Sequence, residues 1–86
     1  MPTVLFSRGW RFFFYANEGN EPIHVHCQKA EKEVKFWLDR ENYEASVAFT
    51  HRMSPADIRT VKKLIYAHFD DLEEAWDEFE RRRKQG

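Results

Sequence analysis

The spacing of apolar residues changes once along the chain, near Met53, and that change limits the folds open to it. Before Met53, short runs alternate apolar and polar residues, the two-residue period of a strand. After it, apolar residues recur at every third or fourth position, the period of a helix. Strands grouped first and helices grouped last give an α+β fold rather than alternating βαβ units.

Within the first half, Val4-Leu5-Phe6 predicts a short strand. Ser7-Arg8-Gly9 then predicts a tight turn, with Gly9 free to take positive φ. Trp10 to Ala16 predicts a second strand, nearly all apolar and so buried on both faces. Asn17-Glu18-Gly19-Asn20-Glu21-Pro22 is loop by composition. Ile23 to Gln28 alternates, with Ile23, Val25 and Cys27 opposed by His24, His26 and Gln28. After a polar turn at Lys29 to Lys32, Glu33 to Leu38 alternates again. Four strands with short connections predict an antiparallel meander over 3–39. Residues 40–53 receive no element: Asn42-Tyr43 reads as a turn, and Ala45 to Phe49 fits a short strand or a helical turn equally well.

A helical region follows over 54–83. Ser54 suits an N-cap, Pro55 the first helical position, and Asp57 the acidic third position. Ile58, Val61, Leu64, Ile65, Phe69, Leu72, Trp76 and Phe79 then form one apolar face. One long bent helix and two helices both fit. A break near His68-Phe69 is favoured, because Asp70 and Glu73 resemble a capping-box restart. The expected architecture is a four-stranded sheet with this helical layer on one face, in a single domain over 1–86.

Composition narrows the function classes. With 14 Lys and Arg against 15 Asp and Glu, the chain lacks the positive charge of a bulk nucleic-acid binder. A lone Cys27 excludes an internal disulfide and suits a reducing compartment. No apolar run approaches the length of a membrane span, and Met1-Pro2-Thr3 does not open a secretion signal. A cytoplasmic protein is expected.

His24 and His26 are the leading chemical pair. Two apart on a strand, they share a face about 6–7 Å apart along the backbone. That spacing lets two imidazoles hold one metal or flank a substrate as acid and base. A zinc site needs further ligands, for which Glu18, Glu21 and His51 are candidates. Packed histidines with an apolar body and a polar tip are the plainer reading, and no metal or other cofactor is expected. Cys27 reads as a small buried residue rather than a nucleophile.

The sheet faces differ. One gathers Phe12, Phe14, Ile23, Val25, Cys27, Val34, Phe36 and Leu38, the natural side for the helices. The other gathers Arg11, Phe13, Tyr15, His24, His26, Lys35 and Trp37, which the helices leave uncovered. An open aromatic, basic and histidine surface suits a protein partner or self-association, and less well the stacked bases of a nucleic acid. The Arg81 to Lys84 run reads as a solvated tail, with phosphate contact as the alternative.

Several segments together carry a family resemblance. They are Met1-Pro2-Thr3-Val4, the aromatic run Phe12-Phe13-Phe14-Tyr15, the stretch Asn17 to His26 with its Glu-Pro-Ile-His-Val-His, Lys35-Phe36-Trp37-Leu38-Asp39 and a late Trp76. In that order and spacing they resemble the small bacterial proteins of the domain of unknown function 4160 family. The resemblance covers almost the whole chain. It implies no established reaction. It does imply gene pairs similar to toxin–antitoxin pairs, hence a small protein partner, and it places the family's His-x-His on His24 and His26. The expectation is a non-enzymatic protein-binding or oligomerising component of such a pair. A metal-assisted or histidine-based nuclease and a small nucleic-acid-binding regulator are the alternatives, so the sequence leans away from an enzyme without deciding.

Overall fold

A computed structural model describes residues 3–15 and 21–85. Five strands come first: β1 (Thr3–Ser7), β2 (Trp10–Phe13), β3 (His24–Lys29), β4 (Lys32–Asp39) and β5 (Glu44–His51). Two helices follow, α1 (Pro55–Ala67) and α2 (Phe69–Gln85). Each strand pairs antiparallel with the next, so the spatial order β1-β2-β3-β4-β5 is the chain order.

The fifth strand corrects the four-stranded expectation. Lys35 faces Phe49 and Phe36 faces Val47, leaving Ala48 as an extra residue between them. This bulge interrupts the two-residue period and hides the strand from a search for alternation. Strand ends also shift slightly. The second strand stops at Phe13 rather than continuing toward Ala16, which lies outside the described residues, and the third begins at His24 rather than Ile23.

Turn chemistry explains the hairpins. Arg8 and Gly9 both have positive φ, 51° and 83°, as a two-residue hairpin turn requires. Ala30 at φ 54° turns β3 into β4, and Tyr43 at φ 54° precedes β5. The unfavourable backbone of Tyr43 is held by stacking, its ring lying 4.4 Å from that of Phe69.

Ser54 caps α1 as its sequence predicts. Its side chain accepts from the Asp57 N–H at 3.0 Å, while the Asp57 carboxylate accepts from the Ser54 N–H at 3.1 Å. The helical layer then breaks in two at His68, whose φ of −123° leaves the helical region. The His68 N–H closes α1 on Leu64 and Ile65, and its carbonyl accepts from Leu72 to open α2. Helix α2 therefore starts one residue before Asp70, which sits in its first turn beside Asp71 instead of capping it.

Val61, Leu64, Ile65, Phe69, Leu72 and Trp76 are buried against the sheet face that carries Phe12, Phe14, Val25, Cys27, Val34, Phe36 and Leu38. Ile23, Ile58 and Phe79 pack half-buried at the margin of this core. Ion pairs tie the layers. Lys32 Nζ lies 3.1 Å from Asp57 Oδ2, and Arg40 bridges the β4–β5 turn to Asp77 of α2 at 2.5 Å. No helix among the described residues is long and apolar enough to cross a membrane.

Candidate functional site

The second sheet face is built by alternation across three strands. Phe13, His26 and Lys35 lie in register, as do Arg11 with Gln28, and His24 with Trp37. Tyr15 follows β2 on the same side, and Phe49 of β5 extends the row beyond Lys35. All seven residues singled out from the sequence, Arg11, Phe13, Tyr15, His24, His26, Lys35 and Trp37, meet in one cluster.

The cluster is packed, which corrects the open surface expected from the sequence. Phe13 is wholly buried, His24 is 1% exposed and His26 is 5% exposed. Arg11, Tyr15, Lys35 and Trp37 are half-buried. The cover comes from the face's own long side chains and, over His24, from Trp76 of α2. Arg11 lays its guanidinium over the Phe13 ring at 4.4 Å, and Lys35 lays its ammonium over Trp37 at 4.4 Å. Flexible stems shield the rings while the charges stay wet, and the cation–ring attraction adds to the gain.

The histidines are held by ring contacts and, at His24, by a hydrogen bond to the backbone. His26 stacks on Phe13 with centroids 5.6 Å apart and meets Tyr15 edge-on at 4.4 Å. The two imidazoles lie 5.2 Å apart, nearly perpendicular. His24 also touches Trp37 at 5.6 Å and Trp76 of α2 at 5.1 Å. Its Nδ1 lies 2.8 Å from the Pro22 carbonyl oxygen. A carbonyl only accepts, so Nδ1 carries a proton and donates it to this bond.

Charges ring this core. Tyr15 Oη donates to Glu33 Oε2 at 3.4 Å, and His26 Nδ1 lies 3.7 Å from the same oxygen. Lys35 Nζ binds Glu21 Oε1 at 2.8 Å, and Arg11 donates to Gln28 at 3.3 Å. Among the described residues, no group of three or more His, Cys, Asp and Glu side chains is placed to hold a metal. Glu21 is occupied with Lys35, and His51 registers with Glu33, away from His24. The third of these ligand candidates, Glu18, lies outside the described residues. Cys27 sits on the opposite, helix-covered face, where burial pushes its thiol pKa up and keeps it protonated.

Sequence reasoning missed the other end of this face. Val47 and Phe49 are 45% and 51% exposed and point to opposite sides of β5. Strand β5 is a sheet edge with no strand beyond it among the described residues. The signal was Val47 and Phe49 two apart between Ser46 and Thr50, an alternation that the bulge at Ala48 breaks by sending the two side chains to opposite faces.

A family model described as domain of unknown function (DUF4160) matches residues 9–77. The chain belongs to this family. Its match takes in strands β2 to β5, α1 and α2 as far as Asp77, and so the whole histidine–aromatic cluster. No curated protein and no solved structure matches the chain.

Proposed function

We propose that this DUF4160 protein is a non-enzymatic, cytoplasmic protein-binding module. Its docking surface is the open edge of β5 with the neighbouring strip of Phe49, Lys35 and Trp37. One observation carries the reading: an eight-residue edge strand exposes a large apolar side chain on each of its two faces. Exposed edges template a further strand, with main-chain hydrogen bonds supplying affinity and alternate side chains supplying selectivity. The partner we favour is a small protein encoded beside it, in an arrangement similar to toxin–antitoxin pairs.

The histidine cluster supports this edge from behind. Rings packed against Phe13 and Trp37 stiffen β3 and β4, so β5 hangs on a firm platform. Burial of both imidazoles weighs against a histidine-based nuclease, which needs its rings in reach of a substrate. A nucleic-acid regulator has less support too: Arg81 and Arg82 bind Glu78, and Arg83 binds Glu80, which neutralises the basic run locally.

Co-expression with the product of the adjacent gene tests the reading. The wild-type chain should retain that product through purification. Phe49→Glu and Val47→Lys should release it while keeping the wild-type circular dichroism spectrum. Retention by both folded variants would refute the β5 surface.

A further inference from the structure

The bulge gives β5 a symmetry that an ordinary strand of its length lacks. Residues opposite the buried positions Leu38, Phe36 and Val34 of β4 are Ala45, Val47 and Thr50, which therefore face the helices. Those opposite Asp39, Trp37, Lys35 and Glu33 are Glu44, Ser46, Phe49 and His51, which face the histidine side. In an unbroken eight-residue strand the two end residues fall on opposite faces. Here Ala48 resets the count, so Glu44 and His51 share one. Reversed end to end, the strand presents the same order of faces: Glu44 over His51, Ala45 over Thr50, Ser46 over Phe49.

Charge follows the same symmetry. Glu44 lies directly across from Asp39 of β4, a like-charge pairing that disfavours the strand end. At the opposite end of β5 His51 Nε2 accepts from Arg52 Nε at 3.3 Å, so the positive charge there is the Arg52 guanidinium, which also lies 3.5 Å from Glu31. Antiparallel pairing with an identical strand sets each acidic end beside a basic one, twice per interface.

We propose that β5 pairs antiparallel with β5 of a second copy, about a two-fold axis level with the Val47–Ala48 bond, joining two five-stranded sheets into one. The pairing rests on the protein-binding role proposed above and gives the same edge an occupant of its own, a second copy of the chain, which the neighbour-encoded protein displaces on docking. A two-fold axis normal to the sheet reverses the strand and preserves its faces, so both helical layers stay on one side. Paired edge strands alone bury less than a standard interface, and the dimer is weak, with a Kd on the order of 10–100 µM. Tyr66 opposes it. Its hydroxyl accepts from the Ala45 N–H at 3.1 Å, and the second copy needs that donor for its own Thr50 segment. Closing the pair therefore displaces the Tyr66 hydroxyl.

Sedimentation equilibrium of the full chain from about 5 to about 500 µM tests this. Wild type should dimerise. Glu44→Lys and His51→Glu should each weaken the dimer about tenfold, because each change is felt twice. The double variant Glu44→Lys, His51→Glu should restore it, since a charge swap within one chain rescues only a self-paired strand. Tyr66→Phe should tighten it, and circular dichroism confirms that each variant folds. A strict monomer, or a dimer insensitive to these charges, or one not rescued by the swap, overturns self-pairing. Hydrogen exchange separates this failure from that of the broader reading: a monomer whose Val47 to His51 amides are protected by the neighbour-encoded protein refutes the self-pair alone. A monomer with no such protection refutes both.

Discussion

Strands β3 and β5 have similar lengths and opposite fates. In β3 the four residues His24 to Cys27 are all buried, on both faces; in β5 Ala45 alone is buried. Polar alternation does not separate them, since His24 and His26 are the polar positions of β3. Neighbours do. Strand β3 has a strand on each side, helices under one face and flat rings packed over the other. Among the described residues, strand β5 pairs with one strand, β4, and forms the sheet edge. Alternation in a sequence reports the period of the backbone, whereas burial depends on what the fold brings across each face.

This contrast breaks most readily in the core. Trp76→Ala should cost about 3–5 kcal/mol in urea unfolding, because its ring packs on Phe14 at 5.2 Å and on His24. Phe13→Ala should cost a similar amount, about 3–5 kcal/mol, if the histidine face is a second core. A loss under about 1 kcal/mol at Phe13 would return that face to the status of a surface. Next in size is the α1 cap, which follows β5 directly. Ser54→Ala should cost about 1 kcal/mol and lower the melting temperature, since the Asp57 N–H loses its acceptor.

The same cap gives a pH signature. The Ser54 N–H, followed by the Lys32 ammonium, holds the Asp57 carboxyl below its ordinary value of 3.8. A depressed folded-state pKa contributes stability above the unfolded value and loses it as pH falls through the folded one. Wild type should therefore lose stability more steeply below about pH 4 than Asp57→Asn, compared by urea midpoints. Equal slopes would remove Asp57 from the acid response. The smallest effect belongs to the edge: Phe49→Ala should change stability by less than about 0.5 kcal/mol. A loss above about 2 kcal/mol there would show that the β5 edge is already covered.

Where local chemistry fixed the structure, the sequence was legible. Ser54, Pro55 and Asp57 announced α1; Gly9 announced the first hairpin; the apolar positions from Val61 to Trp76 identified the helical face. The seven residues of the histidine side were correctly grouped, because strand alternation and short hairpins fix which side chains share a face. Their burial was not legible. It depends on Arg11 and Lys35 folding back over Phe13 and Trp37, a tertiary arrangement that no spacing encodes. Strand β5 stayed ambiguous between a short strand and a helical turn, because Ala45 and Ala48 carry little β preference and the bulge breaks the period. The break at His68 was visible only as a hint from Asp70 and Glu73. Its cause is the backbone of His68 itself, which ends one helix and accepts the first bond of the next.

The strictly sequential order of the five strands bears on how fast the chain acquires its structure. Every strand pair closes a local hairpin, so no pairing waits for distant segments to find each other. Loop-closure entropy is correspondingly small, and a short mean sequence separation between contacts goes with rapid folding. Zipping can start at any tight hairpin and spread by one neighbour at a time. Contacts between α2 and the residue that follows β2, such as Trp76 with Phe14, are among the most distant along the chain and should close late. Stopped-flow refolding should therefore give a high φ-value in the β3–β4 hairpin and a low one at Trp76.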